Sequence, residues 1–109
     1  MTIRETAAAL GAEILQDEFI DTKLSGAYTS DLLSDVLAHA KFGGALITIQ
    51  AHKNTVAVAT VVNISVIIIC NSRPVPQDML VAAKEEGIAI LLTKENQFTV
   101  SGKLYGLLY

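Results

Sequence analysis

The sequence predicts an α/β domain: three layers, α/β/α, around a mostly parallel sheet of about four to five strands. Three observations carry that class. Stretches with helical spacing alternate with short apolar strands along most of the 109 residues. The segment "VIIIC" (66–70) is apolar at every position, as in a strand covered on both faces. Residues 51–65 separate it from "ALITIQ" (45–50), which is enough chain for the crossover between two parallel strands.

Each element has a local reason. Thr2-x-x-Glu5 is a capping box and Gly11 suits the C′ position, so "IRETAAAL" reads as a short helix. "AEILQ" then reads as a strand. In "DEFIDTKLSGAYT" the apolar residues Ile20, Leu24 and Tyr28 recur every four positions, but Ser25-Gly26 breaks the pattern. An irregular segment with a short strand is expected there. Ser30 to Lys41 is the clearest helix. Ser30 is placed as N-cap and Asp31 in the first turn, where the dipole favours an acid. Leu32, Leu33, Val36, Leu37 and Ala40 form its apolar stripe, His39 and Lys41 its basic last turn, and Gly43 its end.

"TVAVATVVN" (55–63) alternates like a strand, and a hairpin through "AHKN" is one solution. The helix-strand alternation elsewhere favours the other: a helix capped by Asn54 in a right-handed crossover. Pro76 and Asp78 suit the first turn of the next helix, "QDMLVAAKEEG", which closes on Gly87. "IAILLT" (88–93) is a strand. Thr93 is placed as cap of a last helix carrying Phe98, Tyr105 and Tyr109, with Gly102 and Gly106 weakening it.

Composition bounds the function. The chain is 51% hydrophobic and 17% charged, which excludes wholesale disorder and fits one domain over residues 1–109. Net charge is −3 and no two Lys/Arg residues are adjacent, so tracking of a nucleic-acid backbone is not expected. Cys70 is the only cysteine, which suits a reducing, cytoplasmic setting. No secretory signal is read at the N-terminus. Asn54 to Ser72 lacks charge, but Thr55, Thr60, Asn63 and Ser65 interrupt it, so no membrane helix is expected.

In such sheets ligands bind beyond the carboxyl ends of the strands. Three connections leave such ends: "AHKN", "NSRPVPQ" and "TKEN". A loop entering a helix offers free N–H groups and a positive dipole end. His52, Lys53, Asn54 and Thr55, with Asn71, Ser72 and Arg73 from the next loop, are therefore the candidate site for a small anionic ligand. The plain alternative is a capped helix start with two solvated bases.

Other motifs fall away. "SGKL" (101–104) has the Gly-Lys pair of a phosphate-binding loop, but Leu104 stands in place of Ser/Thr and Gln97 in place of the first glycine. No Gly-x-Gly-x-x-Gly occurs, and no cofactor is expected. His39, His52 and Cys70 lack metal-site spacing, so no metal is expected. Asp31 and Asp35 read as a capping acid and a surface acid. A transferase or hydrolase using His52 and Cys70 is a minor reading, because Cys70 ends a buried strand.

The order "GGALITIQAHKNTVAVA", "VIIICNSRPVP", "EEGIAILLTKENQF" resembles the DRTGG domain family, over about Ser25 to Tyr109. It is also similar to the N-terminal, non-catalytic part of HPr kinase/phosphorylase and to a segment of some phosphotransacetylases. The resemblance implies a regulatory or interaction module, not a catalyst, and a homodimer. Stand-alone members in iron-only hydrogenase gene neighbourhoods imply a protein partner in a hydrogenase-related context. The chain lacks the Asp-Arg-Thr-Gly-Gly string, and where members often carry glycines it has Asn71-Ser72-Arg73. The expected function is thus a non-catalytic regulatory domain binding a small anionic ligand, such as a nucleotide, or a partner protein. A pure scaffold module is the alternative.

Overall fold

The computed structural model describes residues 1–40 and 42–109. In chain order the elements are α1 (Ile3–Leu10), β1 (Glu13–Gln16), β2 (Ala27–Thr29), α2 (Leu33–His39), β3 (Ala45–Thr48), α3 (Lys53–Val61), β4 (Val66–Ile69), α4 (Gln77–Glu86), β5 (Ala89–Leu92) and α5 (Gln97–Leu108). The strands form one sheet in the order β1-β5-β4-β3-β2. β2, β3, β4 and β5 run parallel, and β1 pairs antiparallel with β5. The expected mostly parallel α/β/α sandwich is what forms.

Alternation along the central strands builds two cores. Ile47, Ile68 and Leu91 face one side and pack with Ile3, Ala7, Val100 and Leu104 of α1 and α5. Leu46, Ile67, Ile69 and Ile90 face the other and pack with Val36, Val56, Met79 and Ala83 of α2, α3 and α4. Every residue of β3 and β4 is buried, which explains the uninterrupted apolar sequence of β4; the one polar residue of β3, Thr48, ends that strand. α1 has its capping box, and left-handed Gly11 and Gly87 close α1 and α4 as expected (φ 64° and 67°).

The segment 55–63 is indeed helical over most of its length, so the hairpin solution is excluded. Four helix starts differ from expectation. Pro76 stands in the cap position of α4 with an extended backbone (φ −65°, ψ 149°), not in its first turn. α2 begins at Leu33 with Leu32 in the cap position and no side-chain cap bond. Ser30 instead accepts the Leu32 N–H in a tight turn ahead of the helix (3.2 Å). α3 is capped by His52, not Asn54, because the His52 Nδ1 accepts the Asn54 N–H (3.0 Å). α5 is capped by Asn96, whose side-chain Oδ1 accepts the Thr99 N–H, while the Thr93 hydroxyl accepts the Glu95 N–H ahead of it. The α2 stripe is also narrower than its spacing suggests: Val36 is buried, whereas Leu32 and Leu37 are exposed. The last residue assigned to that helix, Lys41, lies outside the described residues.

Candidate functional site

Four parallel strands put four carboxyl ends on one edge of the sheet. The connections into α2, α3, α4 and α5 all leave from that edge, so the helix N-termini gather there. The "AHKN" and "NSR" loops therefore open on the same edge, from adjacent strands β3 and β4.

His52 holds an extended backbone (φ −145°, ψ 149°) and spends its Nδ1 lone pair on the cap. That fixes the proton of the neutral ring on Nε2. Its carbonyl accepts the Thr55 N–H (2.9 Å). Thr55 is buried, and its hydroxyl donates to the Gln50 carbonyl (2.8 Å), so it anchors the corner from within. Lys53 is the first residue of α3, exposed, and no acid occupies that first turn. A base there faces the positive end of the helix dipole, which disfavours it.

Asn71 and Ser72 both sit in the left-handed region (φ 60° and 50°). The Arg73 N–H closes this turn onto the Cys70 carbonyl (3.3 Å). The Asn71 and Ser72 N–H groups donate to the carbonyls of Glu95 and Thr93 (3.0 and 2.9 Å). Both amides are thus spent on the β5–α5 connection, and what the turn presents outward is side chains. Neither Lys53 nor Arg73 is within ion-pair distance of a carboxylate among the described residues.

Asp31 is the residue that sequence reasoning misplaced. Its Oδ1 accepts three bonds, each 2.9 Å: from the Thr48 hydroxyl, the Ile49 N–H and the Gln97 side-chain amide. It thereby ties the β2–α2 corner to the end of β3 and the start of α5. Asp35 is bonded to the Tyr28 hydroxyl (2.8 Å) and to His39 (3.1 Å). The Tyr28 bond chiefly holds its carboxyl below the usual range. The two acids point into separate networks and form no catalytic pair.

Cys70 is fully buried in the core beneath α1 and α5. Burial, with Asp31 adding a smaller push, raises its thiol to about 11. Such a thiol makes a poor nucleophile at neutral pH, and His52 is committed to its cap. No group of three or more His, Cys, Asp or Glu able to hold a metal exists among the described residues. No helix of the described residues is long and apolar enough to cross a membrane.

The candidate residues share an edge but not a hollow. Lys53 and Asn54 line a groove of about 410 Å³ between α3 and α4, with Glu85 and Glu86 at its other end. Ser72 lines a separate hollow of about 440 Å³ with Thr93 and Lys94. A larger one, about 590 Å³, lies at the opposite edge around Asn63, Ser65 and Gly87. Its charged lining is Glu18 and Glu86, the wrong sign for an anion.

Against known proteins, no family model matches the chain, and no curated protein matches it. Among solved structures, it is similar to the CBS and DRTGG domains of the regulatory region of Clostridium perfringens pyrophosphatase, in complex with the activator diadenosine tetraphosphate. The TM-score is 0.75 at 15% identity, over 94% of this chain and 45% of that one. The fold is that of a DRTGG-like domain. The chain spans less than half of that region's length.

Proposed function

We propose that this chain is a non-catalytic regulatory domain that takes a small phosphate-bearing anion at the carboxyl edge of its sheet. Lys53 and Arg73 supply the countercharge, and the exposed side chains of His52, Asn54, Asn71 and Ser72 supply polar contacts. The observation that carries this reading is Lys53. It places a positive charge on the positive end of α3, with no acid beside it, and an arriving anion would relieve that repulsion. The structurally similar pyrophosphatase region was solved with a nucleotide activator, which supports nucleotides as the first class to try.

Isothermal calorimetry with ATP, diadenosine tetraphosphate and inorganic phosphate tests it. Saturable binding is expected for at least one, weakened tenfold or more in both Lys53→Ala and Arg73→Ala. Lys53→Ala should also raise the Tm of the ligand-free protein, because it removes the unfavourable charge–dipole contact. Binding that survives both substitutions unchanged, or no binding to any of the three, rejects the proposal.

A further inference from the structure

α3 and α4 pack side by side. Both run from the carboxyl edge of the sheet back to its opposite edge, so their dipoles point the same way. From the backbone alone, the groove between them is positive at its Lys53 end and negative at its Glu85–Glu86 end. The charged side chains add to this polarity. Lys53 stands on the positive end of α3. Glu85 and Glu86 are the last two residues of α4, at its negative end. The one base of that last turn, Lys84, is held by Glu18 (2.9 Å). Neither Glu85 nor Glu86 is within ion-pair distance of a base among the described residues. One groove thus carries uncompensated charge at both ends, with opposite signs.

Between the ends the lining is apolar. Val56, Ala57 and Ala82 border the groove, and the Thr60 hydroxyl donates back to the Val56 carbonyl (2.9 Å). From Lys53 to Thr60 the helix rises about 10 Å, at 1.5 Å per residue. The volume, about 410 Å³, is that of a small-molecule site.

We infer that this groove takes a zwitterionic phosphate ester. Its phosphate meets Lys53, its apolar body lies over Val56, Ala57 and Ala82, and a protonated amine meets Glu85 and Glu86. The inference rests on the anion reading of Lys53 given above and adds the far end of the ligand. Charge complementarity selects the occupant. Inorganic phosphate answers one end only, and a simple amine answers only the other. A ligand anionic at both ends meets two carboxylates with like charge. Opposite charges about 10 Å apart, the helical rise between the two ends, relieve both at once.

Isothermal calorimetry at low ionic strength with 6-aminohexyl, hexyl, 2-aminoethyl and ethyl phosphate tests this. 6-Aminohexyl phosphate should bind about fivefold tighter than hexyl phosphate, the upper range for a solvent-exposed ion pair. 2-Aminoethyl phosphate is too short to span the groove and should show no such advantage over ethyl phosphate. The double substitution Glu85→Gln/Glu86→Gln should bring 6-aminohexyl and hexyl phosphate level. It should also raise the Tm of the ligand-free protein by removing acids from the negative end of α4, with an unchanged far-UV spectrum since both side chains are exposed. Equal affinity for 6-aminohexyl and hexyl phosphate overturns the inference and leaves the anion reading of Lys53 standing. So does an amine advantage that survives the double substitution, or one that is the same at both chain lengths. Absence of binding by all four esters removes both readings.

Discussion

Replacing Asp31 with alanine removes one carboxylate oxygen that three donors share. Thr48 is fully buried, so its hydroxyl loses its acceptor without access to water. The Ile49 N–H and the Gln97 amide are half-buried and recover part of their loss by hydration. Hydrogen bonds to a charged acceptor are worth about 1.5–3 kcal/mol each, and a stranded buried donor costs about 1–3 kcal/mol. Taking one full loss and two partial ones gives about 3 kcal/mol. At about 2.1 cal/mol/K per residue, the unfolding entropy of this chain is roughly 230 cal/mol/K. The expected fall in Tm is therefore about 13 °C. Asp31→Asn keeps an acceptor oxygen and loses only the charge, so about 1 kcal/mol is expected. Urea unfolding monitored by circular dichroism measures both. If Asp31→Ala costs less than about 1 kcal/mol, or if Asn and Ala cost the same, Oδ1 is not the tie described above.

Further outcomes concern pH, thiol access and backbone strain. The Asp35 carboxyl lies below its unfolded value, so its contribution is present above the unfolded pKa and is lost as pH falls through the folded one. Tyr28→Phe removes the chief cause of the shift and should flatten the loss of stability as pH falls below the ordinary carboxylate range. Cys70, held near 11 against a reference of 9, should resist iodoacetamide at pH 8 until the chain unfolds. Its linkage has the opposite sense: the unfolded thiol ionises first, so stability should drop as pH rises from 9 toward 11, and Cys70→Ala should remove that drop. At Ser72, glycine would relieve the left-handed backbone at some entropic cost. Ser72→Gly should gain about 0.5 kcal/mol by thermal melting, whereas Ser72→Val should lose more than 1 kcal/mol.

Features whose causes are local were legible in the sequence. The capping box at Thr2 and Glu5, the left-handed stops at Gly11 and Gly87, and the doubly buried "VIII" strand each follow from a few neighbouring residues. What escaped was settled by distant partners. Ser30-Asp31 before an apolar run carries the same local signal as a helix cap. Asp31 is instead claimed by Ile49 and Gln97, which are 18 and 66 residues away. His52 displaced Asn54 as the cap because a ring nitrogen can accept where an amide oxygen was expected, two residues later in the chain. Thr93 lost the same role to Asn96 because the turn after β5 takes three further residues before its backbone becomes helical. At the candidate site, the shared edge followed from parallel strands. The division of Lys53 and Ser72 between separate hollows depends on helix packing, which periodicity does not encode.

β1 has one sheet neighbour, β5, and Glu13 meets Leu92, far along the chain. β4, the most apolar strand, sits in the middle and also needs β5 on one side. During synthesis, then, the first strand has nowhere to pair and "VIII" keeps one edge bare until Leu92 has left the ribosome. The closing of the sheet is a late, all-or-none event spanning residues far apart, and slow folding follows from such long-range pairing. A chain interrupted before β5 would expose its stickiest hexapeptide, "SVIIIC", as an open edge. The strand order thus makes the emergence of β5 a condition for the safe burial of β4.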